Sequence, residues 1–376
     1  MAAAKSAASI NIKRNKRRKV LIETAADKSR NLAGRQGGHD NCPMNISATA
    51  SPFPAIGSPG AQRCPLPHWG VIRALGSDAA AFLHGQLTQD IQQLALGQAR
   101  QAGYCSAKGR LLATFIVWRE SEEELLLVCD RSVLDSTLKR LSMFVLRAKC
   151  KLSDATQDRP LWGMWGRLDS TDAAAGNAMT PWSVDDGSDA DAPASVVRLT
   201  DVQQHWRVLW VGRNASAAAA LQPNAELSEW QRLQISSGLP MIEERTAEQF
   251  VPQMINYELI DGVNFQKGCY PGQEVVARSQ YRATAKRRMF LFRTSGSATA
   301  GTEVFHSADA EQPAGLVVNA VKQADGQTLL LAEVKLTALA QGTLHLSSNT
   351  GAMLEPRALP YAVPIEASAT ATSGTL

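Results

Sequence analysis

The chain has 376 residues, 44% hydrophobic and 20% charged, an ordinary make-up for a globular protein with room for two or three domains. No apolar run reaches the roughly 18 residues that a membrane helix needs, so a soluble, cytoplasmic protein with no membrane partner is expected. The net charge of +4 sits at one end. Residues 1–40 hold ten Lys or Arg against three acids, and removing that +7 leaves −3 for the remainder, weak ground for nucleic-acid binding by the folded part. Six cysteines (42, 64, 105, 129, 150 and 269) show no Cys-x-x-Cys and no Cys/His pair at zinc spacing, so a reducing compartment and no resident metal are expected.

Residues 1–62 read as an unstructured tail: a basic run at 11–19 is followed by Ser, Ala, Gly and Pro without periodicity. A solvated tail, or an over-extended start with Met44 as the alternative first residue, is preferred to a transit peptide or a nucleic-acid arm. The positive charges are bunched, not spread along a helical face. A first α+β domain is expected over 63–158. Residues 69–75 read as a strand and 78–94 as a helix, with Leu83, Leu87, Ile91 and Leu94 at near-helical spacing and a break at Gly85 or Thr88. Strands at 99–106 and 110–119 flank a tight turn at Ala107-Lys108-Gly109, and a third at 124–129 completes a meander. Val133, Leu134, Leu138, Leu141 and Val145 mark a second helix, which suggests an antiparallel sheet with helices on one face.

A second α+β domain is expected over 159–286. It opens at 160–168, which holds Trp162 and Trp165, and has strands at 196–199 and 206–211, an acidic loop at 183–193, a short helix at 215–221 and a helix at 228–237 containing Trp230. From 287 to 364 the pattern changes to short strands at 289–294, 303–306, 314–321, 328–334 and 342–346, separated by Gly, Asn and Asp. That spacing predicts a small antiparallel β-barrel, followed by a frayed tail at 365–376.

The chemistry is expected between Ile260 and Arg288, centred on Lys267-Gly-Cys-Tyr-Pro-Gly-Gln-Glu274. Pro271-Gly272 favours a type II turn leading into a helix over 273–281, which puts Cys269 just before a helix N-terminus with cations nearby. That setting stabilises a thiolate. A small buried residue in a tight loop is the competing reading of the same spacing.

The octet Lys267 to Glu274, continued by Val275-Val-Ala-Arg278, resembles the signature of the YgfZ family, folate-binding relatives of the glycine-cleavage T-protein that support iron–sulfur enzymes. Phe82-Leu-His-Gly-Gln-Leu-Thr-Gln-Asp90, Tyr104-Cys-Ser-Ala-Lys-Gly-Arg110, Phe250-Val-Pro-Gln253 and Leu359-Pro-Tyr361 extend the resemblance over 65–364. It implies a T-protein-like α+β fold, a ring of three domains around a tetrahydrofolate, complete as a monomer. It also implies iron–sulfur client enzymes as partners, with tRNA modification among the processes supported. Trp69 and Trp230 fall on the folate-contacting tryptophans, and Arg282, Lys286 and Arg287 are candidates for the folate tail by position. Cys269 is the implied working group. Lys267 would stabilise its thiolate, and Tyr270 and Gln273 would orient ligand or loop. On this view the sulfur of Cys269 and the two indoles face one cavity.

Two departures separate the chain from aminomethyl-transferring T-proteins, the alternative function. The stretch after Gly109 has Ala113 and Thr114 where those proteins carry acids, and Ser236 stands in place of a pterin-binding glutamate. The first removes electrostatic help for a developing cation; the second removes a group able to grip an amino-pyrimidine edge through two bonds.

Overall fold

The computed structural model describes residues 60–168, 179–185, 193–281 and 286–364. Residues 1–59 of the tail predicted at 1–62, the tail predicted at 365–376 and most of the acidic loop lie outside the described residues. In chain order the first elements are β1 (Gln62–Pro65), β2 (Trp69–Leu75), α1 (Ala79–His84), β3 (Ala99–Cys105), β4 (Leu111–Ser121), β5 (Glu124–Asp130), α2 (Arg131–Ser142) and β6 (Lys151–Asp154). The antiparallel sheet β3-β4-β5-β2-β6 is built on strict alternation. Ala113, Phe115 and Val117 of β4 join Leu83 and Leu134 in the core under α1 and α2. Ile116 and Trp118 point the other way and are buried as well.

What buries that second face is the next sheet. It is formed by β7 (Leu161–Arg167), β8 (Val184–Asp185), β9 (Ala194–Val202) and β10 (His205–Gly212), in the order β1-β7-β10-β9-β8. Trp165, Leu199 and Leu209 share one core with Trp69, Ile116, Trp118 and Leu126, joined by Trp230 and Leu233 of α3 (Leu227–Ser236). Each fully buried side chain of this size contributes about 1.5–3 kcal/mol, so the core spanning both sheets ties them into one unit. The expected boundary near 62 is therefore displaced in space. β1 pairs antiparallel with β7, Gln62 opposite Trp165, and belongs to the second sheet.

Two predicted helices are shorter or absent, each for a local reason. α1 ends at His84 instead of running to 94, because Thr88 and Gln89 are drawn out of helical geometry. The Thr88 hydroxyl donates to Gly262 O at 2.6 Å and accepts from Gly103 N at 2.7 Å, and the Gln89 amide donates to Asp261 O at 2.6 Å. The segment 215–221 is a run of turns, with Ala217 N bonded to Asn214 O and Leu221 N to Ala218 O. The seven residues of the predicted helix are too few to repay helix nucleation.

The last sheet comprises β11 (Arg287–Thr294), β12 (Glu303–His306), β13 (Asp309–Lys322), β14 (Thr328–Lys335), β15 (Leu344–Leu346) and β16 (Glu355–Arg357), ordered β15-β12-β13-β14-β11-β16. Its two ends meet. Leu346 N bonds Ala352 O at 2.9 Å and Leu354 N bonds Leu344 O at 2.8 Å, so the residues entering β16 close the sheet into the predicted barrel. A register shift in β13 between Val317 and Asn319 turns Asn319 toward the second unit.

Candidate functional site

The loop carrying Cys269 is nailed to the first sheet from beneath. Thr88 and Gln89 hold residues 261–262, and Asn264 N donates to Thr88 O at 2.9 Å. Lys267 is buried, and its ammonium donates to His84 O and, at 2.8 Å, to Leu87 O. These carbonyls lie at and just beyond the C-terminal end of α1, where unpaired acceptors and the helix dipole favour a cation. After Tyr270 the chain turns through Pro271 and Gly272, whose φ of 79° and the Gln273 N to Tyr270 O bond of 3.2 Å make the predicted type II turn. Only glycine fits there. A Cβ on Gly272 would lie 2.4 Å from Ser106 O and 2.6 Å from Gly109 Cα, in the β3–β4 turn. Helix α4 (Gln273–Tyr281) then starts where predicted.

The loop leaves Cys269 exposed, whereas Cys64, Cys105 and Cys129 are buried and Cys150 is half-buried. The small-core reading of Cys269 is thereby overturned. Burial pushes the Lys267 ammonium down to about 8, opposed by the negative charges of Asp90 and Cys269, so the two side chains sense each other electrostatically. The same ammonium lies 5.0 Å from the centre of the Tyr270 ring. The Tyr270 hydroxyl is buried without a hydrogen-bond partner among the described residues. His84 and Asp90, which sequence reasoning did not single out, form a pair at 3.0 Å beside this loop. A Cβ on Gly268 would be 3.5 Å from His84 Nε2. The signal for both was their place in the Phe82 to Asp90 motif.

Trp69 and Trp230 meet elsewhere, at the junction of the sheets. Their centroids are 6.1 Å apart with planes at 74°, edge to face, and both are buried. Sandwiching a ring between two indoles requires parallel planes about 7 Å apart, so this pair offers a ligand only its outer surfaces. Trp230 lies flat on β7 because position 163 is glycine, where a Cβ would come within 2.4 Å of the indole. Behind it the buried Arg207 stacks at 5.8 Å and donates to Gln234 Oε1 at 3.0 Å. Nε1 of Trp230 and Oγ of Ser236 are buried with no partner among the described residues.

Beside Trp69 opens a cleft of about 50 Å³, lined by residues of all three sheet units: His68, Asp130, Gln234, Glu243 and Asn319 among them. Cys269 does not line it, so the structure separates the two groups expected to face one cavity. Their separation follows from anchoring. The cysteine loop is held at the end of α1, whereas the indoles lie in the core shared by the first two sheets. Of the candidates for a folate tail, Arg282 lies outside the described residues, Arg287 is paired with both oxygens of Glu333 at 2.8 and 2.9 Å, and Lys286 is exposed. Thr114, where T-proteins carry an acid, is buried and uses its hydroxyl to accept from Ile242 N at 3.0 Å.

Two α+β units and a closed C-terminal barrel define the class. The chain has the fold of glycine-cleavage aminomethyltransferase T, matching the crystal structure of that protein from Bartonella henselae with a TM-score of 0.62 at 15% identity over 80% of this chain and 86% of that one. No family model matches. Curated relatives are closer in sequence. The tRNA-modifying protein YgfZ of Edwardsiella ictaluri (strain 93-146) is 31% identical, covering 85% of this chain and 98% of the relative. Those of Klebsiella pneumoniae (strain 342) and Sodalis glossinidius (strain morsitans) are 30% and 29% identical over 83% and 79% of the chain. The chain belongs to the YgfZ family.

Proposed function

We propose that this protein is a tetrahydrofolate-binding accessory factor for assembling or repairing iron–sulfur clusters in client enzymes, with the thiol of Cys269 as its working group. The observation that carries this reading is the contrast among the cysteines: Cys269 alone is exposed among the described ones, and it stands over an ammonium that is itself buried. Such a thiolate can exchange with a disulfide or hold sulfur or iron in passing between partners. Lys267 stabilises its charge from beneath, Tyr270 forms the turn's apolar floor, and Gln273 opens α4 behind it.

Tetrahydrofolate would lie at the cleft against Trp69, with Trp230 backing it. An aromatic wall at Trp69 and a polar lining of carboxyls, amides and an imidazole suit one edge of a polar heterocycle. When bound, the folate supplies nitrogens able to carry a one-carbon group. A transferase of the T-protein type is not adopted, because Ala113 and Thr114 offer no carboxylate and the Thr114 hydroxyl is committed to the backbone. The relatives' name, tRNA-modifying, fits support of an enzyme that modifies tRNA. Direct tRNA binding by the folded part has little charge behind it, the chain beyond residue 40 carrying −3.

In cells lacking the protein, Cys269→Ala should fail to restore the activity of cluster-dependent enzymes while keeping the wild-type melting temperature. Full restoration by that variant removes the cysteine role. Titration with tetrahydrofolate should quench tryptophan fluorescence in wild type and much less in Trp69→Phe. Equal quenching in both would place the ligand elsewhere.

A further inference from the structure

The cleft beside Trp69 has one-sided chemistry. Its polar lining consists of two carboxyls (Glu243, Asp130), the His68 imidazole and the amides of Gln231, Gln234 and Asn319, and no Lys or Arg lines it. Most of these groups are already engaged. Asn319 clamps Met241, accepting from its N at 2.9 Å and donating to its O at 2.8 Å, and also donates to Glu243 Oε1 at 2.7 Å. Gln234 donates to Leu239 O and accepts from Arg207. Asp130 caps α2, accepting from Ser132 N at 2.9 Å and Ser132 Oγ at 2.5 Å. Burial pushes His68 down to about 4, which leaves it a neutral ring near pH 7.

Glu243 is the carboxyl of the set that is not tied to a helix N-terminus of the first unit. Its side chain accepts from Asn319 at 2.7 Å and closes a capping box with the backbone of Thr246, and it forms no ion pair among the described residues. Burial pushes its carboxyl up to about 7, and N–H donors brought to it would favour the charged form. Its position is held from two sides, by Thr114 of β4 bonding Ile242 N and by Asn319 of β13 bonding Met241. Residues held by supporting hydrogen bonds keep the geometry that recognition needs.

We propose that Glu243 is the specificity-determining residue of this cleft, its carboxylate accepting the paired N–H groups of a 2-amino-4-oxopyrimidine edge whose ring lies against Trp69. This rests on the folate reading of the cleft and names the group that reads the pterin. Two acceptor oxygens match two adjacent donors, whereas the single hydroxyl of Ser236 cannot. A 2-oxo ring would set its carbonyl against the carboxylate and leave buried acceptors unpaired, a mismatch that buried sites reject strongly.

Calorimetric titration with pterin, lumazine (the 2-oxo analogue) and tetrahydrofolate tests this. Wild type should bind pterin at least tenfold more tightly than lumazine, Glu243→Gln should bring the two within about twofold, and Ser236→Ala should keep the wild-type preference. Circular dichroism checks that each variant is folded. If wild type takes up tetrahydrofolate but does not distinguish pterin from lumazine, or if Glu243→Gln keeps the preference, this assignment is overturned and the folate reading stands. If wild type binds none of the three, the folate reading falls and takes the assignment with it. The ligand pair works on the unaltered protein, so the outcome does not depend on the variants folding.

Discussion

The cysteine loop and the tryptophan cleft use burial in opposite ways. In the loop the Cys269 thiol is left in water and the Lys267 ammonium is buried below; in the cleft the polar side chains themselves are withdrawn from water. A thiol that must meet another protein has to be reachable. A site that recognises ring edges gains from dry walls, where each hydrogen bond is worth more and each unpaired group costs more. The two regions also carry opposite pH signatures. Glu243 has its carboxyl raised from 4.5 to about 7, so the folded state binds more protons in that window and stability is lost as pH rises through it. Lys267 is lowered from 10.5 to about 8, so the folded state binds fewer protons there and stability is gained as pH rises from 8 to 10.5.

The widest contrast should appear in thiol chemistry. Cys64 and Cys105 are pushed from 9.0 to about 12 by burial, with Glu226 adding to the rise at Cys64, so their thiolate fraction falls by about three decades. A short iodoacetamide pulse read by peptide mass spectrometry should therefore label the exposed Cys269 at least about tenfold faster than either buried thiol. Comparable labelling of all three would erase the distinction between loop and core.

Gly163→Ala attacks the other region. Its Cβ would press on the Trp230 indole, and a loss of roughly 2–4 kcal/mol in urea unfolding is expected, with the Cys269 labelling rate unchanged. A coupled change in labelling would mean that the two regions act as one. Glu243→Gln should remove the decline in stability between pH 4.5 and 7, worth roughly 2–3 kcal/mol, as followed by melting across pH. Lys267→Met should flatten the alkaline rise, about 1–2 kcal/mol after allowance for solvent screening. A slope that survives its own substitution assigns the titration to another group. The smallest effect belongs to Tyr270→Phe, which deletes a buried hydroxyl lacking a partner and should stabilise the protein by about 1 kcal/mol in the same melts.

Elements whose pattern is local were legible before any coordinates. β2, β12 and α4 begin and end where alternation, turn residues and the Pro271-Gly272 dipeptide put them, and the octet around Cys269 singled out its loop. Neighbours along the chain supply those signals, since strand alternation, helix capping and turn formation act over a few residues. Whether Cys269 is buried or exposed could not be read that way, because the same spacing serves both. That was decided by Lys267 reaching back more than 180 residues to His84 O, and by Thr88 reaching forward to Gly262. The same bonds cut short a helix whose apolar spacing continued to Leu94. Glu243 gave no signal at all. Its neighbourhood exists only because a bulge in β13 turns Asn319 inward and Thr114 binds the residue beside it. Contacts of that kind depend on three sheets meeting, and no short stretch of residues encodes where distant strands will cross.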